Sequence, residues 1–423
     1  MKNFIRIFSA AAMTFAAHTA AAQMPSASPS AFGMADNYSA SARDFDAVAW
    51  NPANLGLSGR AFTFSLLTTA GTTGLAPVAL SDFANFSGKI VPPETKEAWL
   101  TRIGTGTEKG SLDAGISLLA LSIGHIGFQA GVVGTGGANI NQDFAEALLF
   151  GNTGRTGTAK TFSFAGSRAN GSVFGIGAVS VGLPVMGDEA AGSQLSLGVT
   201  AKYIQGIGSG RGIDNSATIS PNLINAQVIG VYTDSTHVAN GSIGSGIGAD
   251  VGLSYGGAGN NFSLTVRNVT NTFKWNTSAF VTRTKSYTFD GTTSKSTDTT
   301  TAYSTAPQVL RDSLENEKFK PEVAVGISRH LGSDLLIDID AMQRVGDGIA
   351  IGPKTRVGIG AEYTGLPVLT LRGGGAVVND GFQLAAGLGI RLGPVEISTA
   401  VSTRSVTGGG QAVGGMFSLI SFR

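Results

Sequence analysis

Residue types able to do acid–base, nucleophilic or metal chemistry are sparse in this 423-residue chain. Its histidines are His18, His125, His237 and His330, none at ligand spacing to another and none beside an acid motif. Cysteine is absent, which excludes a thiolate metal site, a disulfide framework and a lipid-acceptor cysteine. Asp338 and Asp340 sit two apart on one strand face and could form a carboxylate pair, but inward charges paired with arginine account for them more simply. Two glycine strings, Gly206-Ile207-Gly208-Ser209-Gly210 and Gly244-Ser245-Gly246-Ile247-Gly248, imitate phosphate-binding loops. They lack the strand-to-helix unit, the following acid and the lysine that such loops need, and so read as turn and thin-walled strand glycine. The expectation is no catalytic residue, no metal site and no cofactor: the chain is not an enzyme.

The elements that would carry any function begin with a removable one. Lys2 and Arg6 flank an apolar stretch from Phe4 to Ala17, and Ala20-Ala21-Ala22 supplies small residues for cleavage. Residues 1–22 therefore read as a secretory signal peptide, with the mature start near Gln23.

Composition narrows the class of the mature chain. Charged residues are 13% of the chain, where soluble domains run near ~25%, and the 61 glycines are about twice the usual share. A net charge of +1 provides no basic field, so nucleic acid is set aside as a partner. A chain with mean hydropathy +0.17 would show apolar helices of ~20 residues if it lay in an inner membrane. None occurs after the signal peptide.

Its apolar residues alternate instead. Leu195, Leu197, Val199, Ala201 and Tyr203 interleave with Gln194, Ser196, Gly198, Thr200 and Lys202; the same period of two recurs at 261–267, 322–328, 356–363 and 382–391. Each stretch is about one membrane-crossing strand long, and Asn379-Asp380-Gly381 supplies a tight hairpin turn. An isolated segment of this kind suits a soluble sandwich with one wet face. Repetition over this length suits an all-β, antiparallel transmembrane barrel with its apolar face in lipid. Lys202, Arg267, Arg356, Glu362, Arg372, Arg391 and Glu396 then face the lumen. Tyr203, Tyr363 and Phe382 suit interfacial girdles, although ordinary packing explains any one of them equally well.

The spacing predicts short helices at 93–100 and 141–148, as excursions between strands. It predicts a long Ser/Thr-rich extracellular loop from Thr292 to Thr305, with 209–222 as another.

Ahead of the first strand (Phe62, Phe64, Leu66) lies a segment holding Phe45, Trp50, Asn51, Pro52, Ala53 and Gly56. Asn51 is a good N-cap, Pro52 is pre-set for the first helical position and Gly56 can end the turn. The prediction is a compact one-turn helix; on spacing alone a plain loop into the barrel fits as well. Asn51-Pro52-Ala53 in this position resembles the hatch motif of the FadL-like superfamily of outer-membrane proteins, the long-chain fatty-acid transporters. Ala201-Lys202-Tyr203, Arg267-Asn268-Val269, Gly360-Ala361-Glu362-Tyr363 and Leu371-Arg372-Gly373 are similar to the PorV-like barrels of the same superfamily. The resemblance covers most of the mature chain. It implies about fourteen strands over 60–423, a short helical plug over 23–59 folded into the lumen, and a place in the bacterial outer membrane.

The C-terminus departs from that pattern, since outer-membrane chains commonly finish on an aromatic that the insertion machinery reads. Here Phe422 is followed by Arg423.

The resemblance specifies architecture more than cargo. The first expectation is passive uptake of hydrophobic small molecules, gated by Phe45, Trp50, Asn51, Pro52 and Ala53. The alternative is a barrel anchor for a surface-assembly or protein-secretion system, with a secretion-system protein as partner. A third is an ordinary porin for polar solutes. The bilayer and the insertion machinery are partners in each.

Overall fold

Period-two alternation becomes strand because opposite faces of one extended chain meet different surroundings. In a computed structural model the described residues are 24–423 apart from 104–109, 159, 189–192, 221, 235, 237–241, 258, 347, 350–351, 380 and 407–409. The residues expected to form a signal peptide, with His18 among them, and likewise His237 and Asp380, lie outside them.

Among the described residues twenty strands form: β1 (Phe62–Leu75), β2 (Gly110–Ile123), β3 (Ile126–Asn139), β4 (Phe162–Ser163), β5 (Arg168–Asp188), β6 (Ser193–Asp214), β7 (Thr218–Ile219), β8 (Ile224–Thr233), β9 (Gly244–Gly257), β10 (Asn260–Asn271), β11 (Lys274–Trp275), β12 (Phe280–Phe289), β13 (Ser294–Ala302), β14 (Glu322–Leu331), β15 (Leu335–Arg344), β16 (Thr355–Tyr363), β17 (Leu369–Val378), β18 (Gly381–Leu392), β19 (Val395–Val406) and β20 (Gly410–Phe422).

Fourteen of these close on themselves in the order β1, β2, β3, β5, β6, β9, β10, β14 to β20, every neighbouring pair antiparallel. β20 returns to β1 through pairs running from Phe64↔Phe422 to Gly74↔Ala412. Closure pairs every barrel strand on both sides and leaves no open edge, the condition for crossing lipid with strands. The fourteen-strand antiparallel barrel expected from the sequence is the fold found. No helix among the described residues is long and apolar enough to cross a membrane, so any crossing is made by strands.

The alternation falls as the sequence set it. On β10, Phe262 and Leu264 face outward while Ser263, Thr265 and Arg267 are buried; on β14, Val325 and Ile327 face out and Ala324, Gly326 and Ser328 in. Tyr203, Tyr363 and Phe382 are on the outward face.

One end of the barrel carries short turns, as at Gly124-His125 and between Leu392 and Val395, where Gly393 takes the left-handed φ of +65°. The other end carries the long excursions. The expected short helices are there, as Pro93–Arg102 and as Gln142–Phe150, the latter with the Asn141 side chain capping the Phe144 amide at 2.8 Å.

Two loop expectations are corrected. Ser294–Ala302, within the expected loop from Thr292 to Thr305, is strand β13, paired along its length with β12. Ser209–Asp214 likewise prolongs β6 and pairs with β8. Threonine-rich sequence has high β propensity, and a partner strand supplied by tertiary structure is what it lacked in isolation.

Candidate functional site

The segment before β1 is buried with few exceptions from Met24 to Leu57. It is made of short pieces: a helix at Pro29–Gly33, a 3-10 turn at Asp44–Asp46, a helical turn at Ala47–Trp50 and a 3-10 turn at Pro52–Gly56. Asn51 accepts the Ala53 amide at 3.0 Å with Pro52 at the first position, the cap that its spacing predicts. Side chains reach this segment from all round the barrel. Ser65 and Thr68 of β1 each donate to the Ala27 carbonyl at 2.8 Å, Gln129 of β3 to Pro25 at 2.5 Å, Arg267 of β10 to Ala49 at 3.3 Å and Gln383 of β18 to Asp36 at 3.0 Å. It lies inside the ring of strands, in the place expected of the plug.

Two patches of bare backbone seat it. Gly182, Gly198 and Gly252 are lateral neighbours on β5, β6 and β9. A methyl on Gly182 or Gly198 would come closer than 3.0 Å to the Pro52–Gly56 turn, and one on Gly252 would strike the Asn51 side chain. The Asn-Pro-Ala turn therefore rests on a row of three glycines, pinned by Asn51 Nδ2 donating to Ser254 Oγ at 2.9 Å and by Ser254 donating to Asn54. Across the lumen, Gly360 on β16, Gly374 on β17 and Gly387 on β18 receive Gly33 and Met34 in the same close manner.

Asp338 and Asp340 of β15 correct an expectation. They do not pair chiefly with arginine. Asp340 accepts the Tyr38 and Ser39 amides at 2.6 and 2.8 Å, and Asp338 accepts the Ser41 amide at 3.0 Å and its hydroxyl at 2.5 Å. A lone turn of chain has amides with no helical or sheet partner, and inward carboxylates supply acceptors for them.

The charges assigned to the lumen point inward, and all but Arg391 pair with an opposite charge. Lys202 lies 2.5 Å from Asp250 and 2.7 Å from Asn268; Arg267 pairs with Glu322 at 2.6 Å beneath Trp50, whose ring centre is 5.5 Å from the guanidinium. Arg372 bridges Glu362 at 2.6 Å and Glu396 at 2.9 Å, and Arg356 faces Asp36 at 4.0 Å. Such pairing is what buried charge requires. Arg391 sits at the short-turn rim and donates to the carbonyls of Thr364 and Leu366.

Two plug contacts carry no sequence signal. His125, in the β2–β3 turn, places Nδ1 2.7 Å from the Leu55 carbonyl. Arg423, just past β20, lies 2.6 Å from Asp46 and over the Phe45 ring.

Beyond the plug, toward the long-loop end, lies a cavity of about 580 Å³ lined by Leu310, Ile349, Arg211, Glu317, Arg404 and Asp113 among others. The helix Gln308–Glu315 crosses it. Leu310 and Ile349 belong to a contiguous buried apolar cluster that also holds Phe319, Phe174, Phe273, Trp275 and Ile204 and includes Trp50 and Val48 of the plug. Glu317 joins the two: it accepts from Trp275 Nε1 at 2.6 Å and from Ser172 at 2.9 Å, and pairs with Arg211 at 2.7 Å. Among the described residues no group of histidines and acids could hold a metal.

No family model matches the chain, and no curated protein is significantly similar in sequence. Solved structures are similar. The toluene transporter TbuX of Ralstonia pickettii superposes with a TM-score of 0.53 at 15% identity, over 95% of this chain and 99% of that one. The toluene transporter TodX of Pseudomonas putida gives 0.52 at 12% identity, over 96% and 99%. This chain shares the fold of those two transporters. That agreement spans nearly the whole of both chains.

Proposed function

We propose that this protein carries hydrophobic small molecules inward across the bacterial outer membrane, through a barrel whose N-terminal segment shifts to let them pass. The observation that carries the reading is the apolar cluster joining the mouth cavity to Trp50 of the plug inside a closed barrel. A pore for polar solutes gains nothing from such a route, whereas hydrophobic cargo needs apolar contact with few polar groups along its way. The two structural neighbours named as toluene transporters support the same class of cargo.

In this reading cargo enters beside the helix Gln308–Glu315, passes the aromatic residues and reaches the plug. Phe45, Trp50, Asn51, Pro52 and Ala53 act as the gate. The turn they form rests on bare glycine backbone and a few hydrogen bonds, a contact that can part without breaking a strand. Lys202, Arg267, Arg356, Glu362, Arg372 and Arg391 hold the frame against which the plug moves. The similarities to transporters do not support the alternative role as an anchor for a secretion system.

The test is extraction and mass spectrometry of the mature protein purified from its own outer membrane in mild detergent, with an unrelated porin as control. Enrichment of a hydrophobic compound, together with its faster flux into vesicles carrying the protein, is the expected result. No enrichment and flux equal to that of the porin would overturn it.

A further inference from the structure

The two glycine strings that imitate phosphate loops are the wall of an aromatic cage. A methyl on Gly206 of β6 or Gly244 of β9 would meet the Trp275 indole closer than 3.0 Å, and one on Gly246 would strike the Phe273 backbone. Bare backbone there lets the Trp275 indole and the Phe273 backbone lie close against it. Phe174 of β5 completes the enclosure: ring centres are 5.0 Å apart for Phe273 and Trp275, 5.2 Å for Phe174 and Phe273, and 5.4 Å for Phe174 and Trp275.

A fourth ring fills the cage. Phe319 lies 5.0 Å from Phe174 at 66° and 6.2 Å from Phe273 at 81°, and is buried. It belongs neither to a barrel strand nor to the plug, but to residues 316–321 between the helix Gln308–Glu315 and β14. Glu317, two residues earlier, lines the mouth cavity. The Phe319 ring thus belongs to the same buried apolar cluster as Leu310 and Ile349, which line that cavity, and Trp50 of the plug.

We infer that Phe319 occupies a seat built for one aromatic ring of the cargo, and that cargo advances by displacing it. The inference rests on the uptake reading and names what that route recognises. Edge-to-face contact with the rings of Phe174 and Phe273 favours an aromatic occupant over an alkyl chain of equal size, because the ring's electropositive edge meets electron-rich faces. Displacement is linked to the anchor beside it, since Trp275 is both a wall of the seat and a donor to Glu317. A seat filled by the chain's own ring lowers the apparent affinity for a ligand by the fraction of time it stands empty.

The experiment titrates 4-fluorotoluene into the purified full chain in detergent, followed by fluorine NMR, for the wild type, Phe319→Ala, Phe319→Trp and the remote buried control Phe162→Ala. Heat-modifiable migration verifies each barrel. Phe319→Ala is expected to bind at least about tenfold tighter than wild type, Phe319→Trp several-fold weaker, and Phe162→Ala the same. Equal affinity in Phe319→Ala and Phe162→Ala would overturn the seat, as would an equal gain for 1-fluorohexane. Should Phe319→Ala fail to fold, unchanged binding by Phe319→Trp overturns it. Toluene flux into vesicles is measured separately: tight binding by Phe319→Ala with no flux through the wild type would sink the uptake reading and leave the seat standing.

Discussion

Arg423 Nη2 donates to Asp46 Oδ2 at 2.6 Å, joining the residue after the final strand to the middle of the plug. Ser28 donates to the same oxygen at 2.9 Å and Tyr38 at 3.3 Å, while the guanidinium also reaches Ser28 and lies 5.0 Å from the Phe45 ring centre. The arginine following Phe422, a departure from the usual aromatic finish, thus has a structural use: one side chain holds two pieces of plug to the base of the barrel.

This contact predicts an asymmetry. The Asp46 side chain is 0% exposed and that of Arg423 22%. Arg423→Gln strands a buried carboxylate and should weaken plug docking by about 3 kcal/mol. Asp46→Asn leaves an arginine able to turn to water and should cost nearer ~1 kcal/mol. Hydrogen exchange of plug amides, with heat-modifiable migration confirming the barrel, reads both. Equal effects would show that the pair is not what holds the plug.

Gly198→Ala places a methyl against the Asn-Pro-Ala turn, with Ala53 N and the Pro52 carbonyl carbon in its way. Since both obstacles are backbone, the turn must lift. Open-channel conductance is expected to rise several-fold, while Gly177→Ala on β5, which has open space around it, serves as the neutral control. Indistinguishable conductance in the two variants counts against a seated plug.

Asn51→Ala removes both the cap on Ala53 and the bond to Ser254. The cap alone is worth about 1 kcal/mol, and the lost hydrogen bond to Ser254, which keeps Asn54 as a partner, adds about another 1 kcal/mol. The plug should become protease-sensitive some tenfold sooner or more, with the barrel intact. Asp340→Ala, which deprives the Tyr38 and Ser39 amides of their acceptor, should do the same from another strand.

The turn joining β12 and β13 has a pH signature. Asp290 accepts the Thr293 amide at 2.7 Å, the Thr293 hydroxyl at 2.7 Å and the Thr292 amide at 3.0 Å, which pushes its carboxyl down from 3.8 to about 2. Because the folded value is the lower one, the turn has its full support above pH ~4 and loses it as pH falls through about 2. Amide exchange at Thr292 and Thr293 should stay protected at pH 3 and accelerate near pH 2. In Asp290→Asn that step should vanish.

The strands, their faces and the turn at Asn51-Pro52-Ala53 were legible in the sequence because their causes are local. A period of two follows from one extended chain meeting two surroundings, and a cap followed by proline shapes its own turn within three residues. Which face Lys202, Arg267 or Arg372 takes follows from the same alternation. Tertiary structure alone decided their partners, because hydrogen bonds and ion pairs that bridge separate strands, or a strand and the plug, leave no spacing to read. So Asp338 and Asp340, which resemble a carboxylate pair, hold plug amides; His125, with no motif around it, meets Leu55; and Arg423 reaches Asp46. The glycines show the division most clearly. Their number announced thin walls, but only closure of the barrel determined that one row would seat the plug and another would back the aromatic cage.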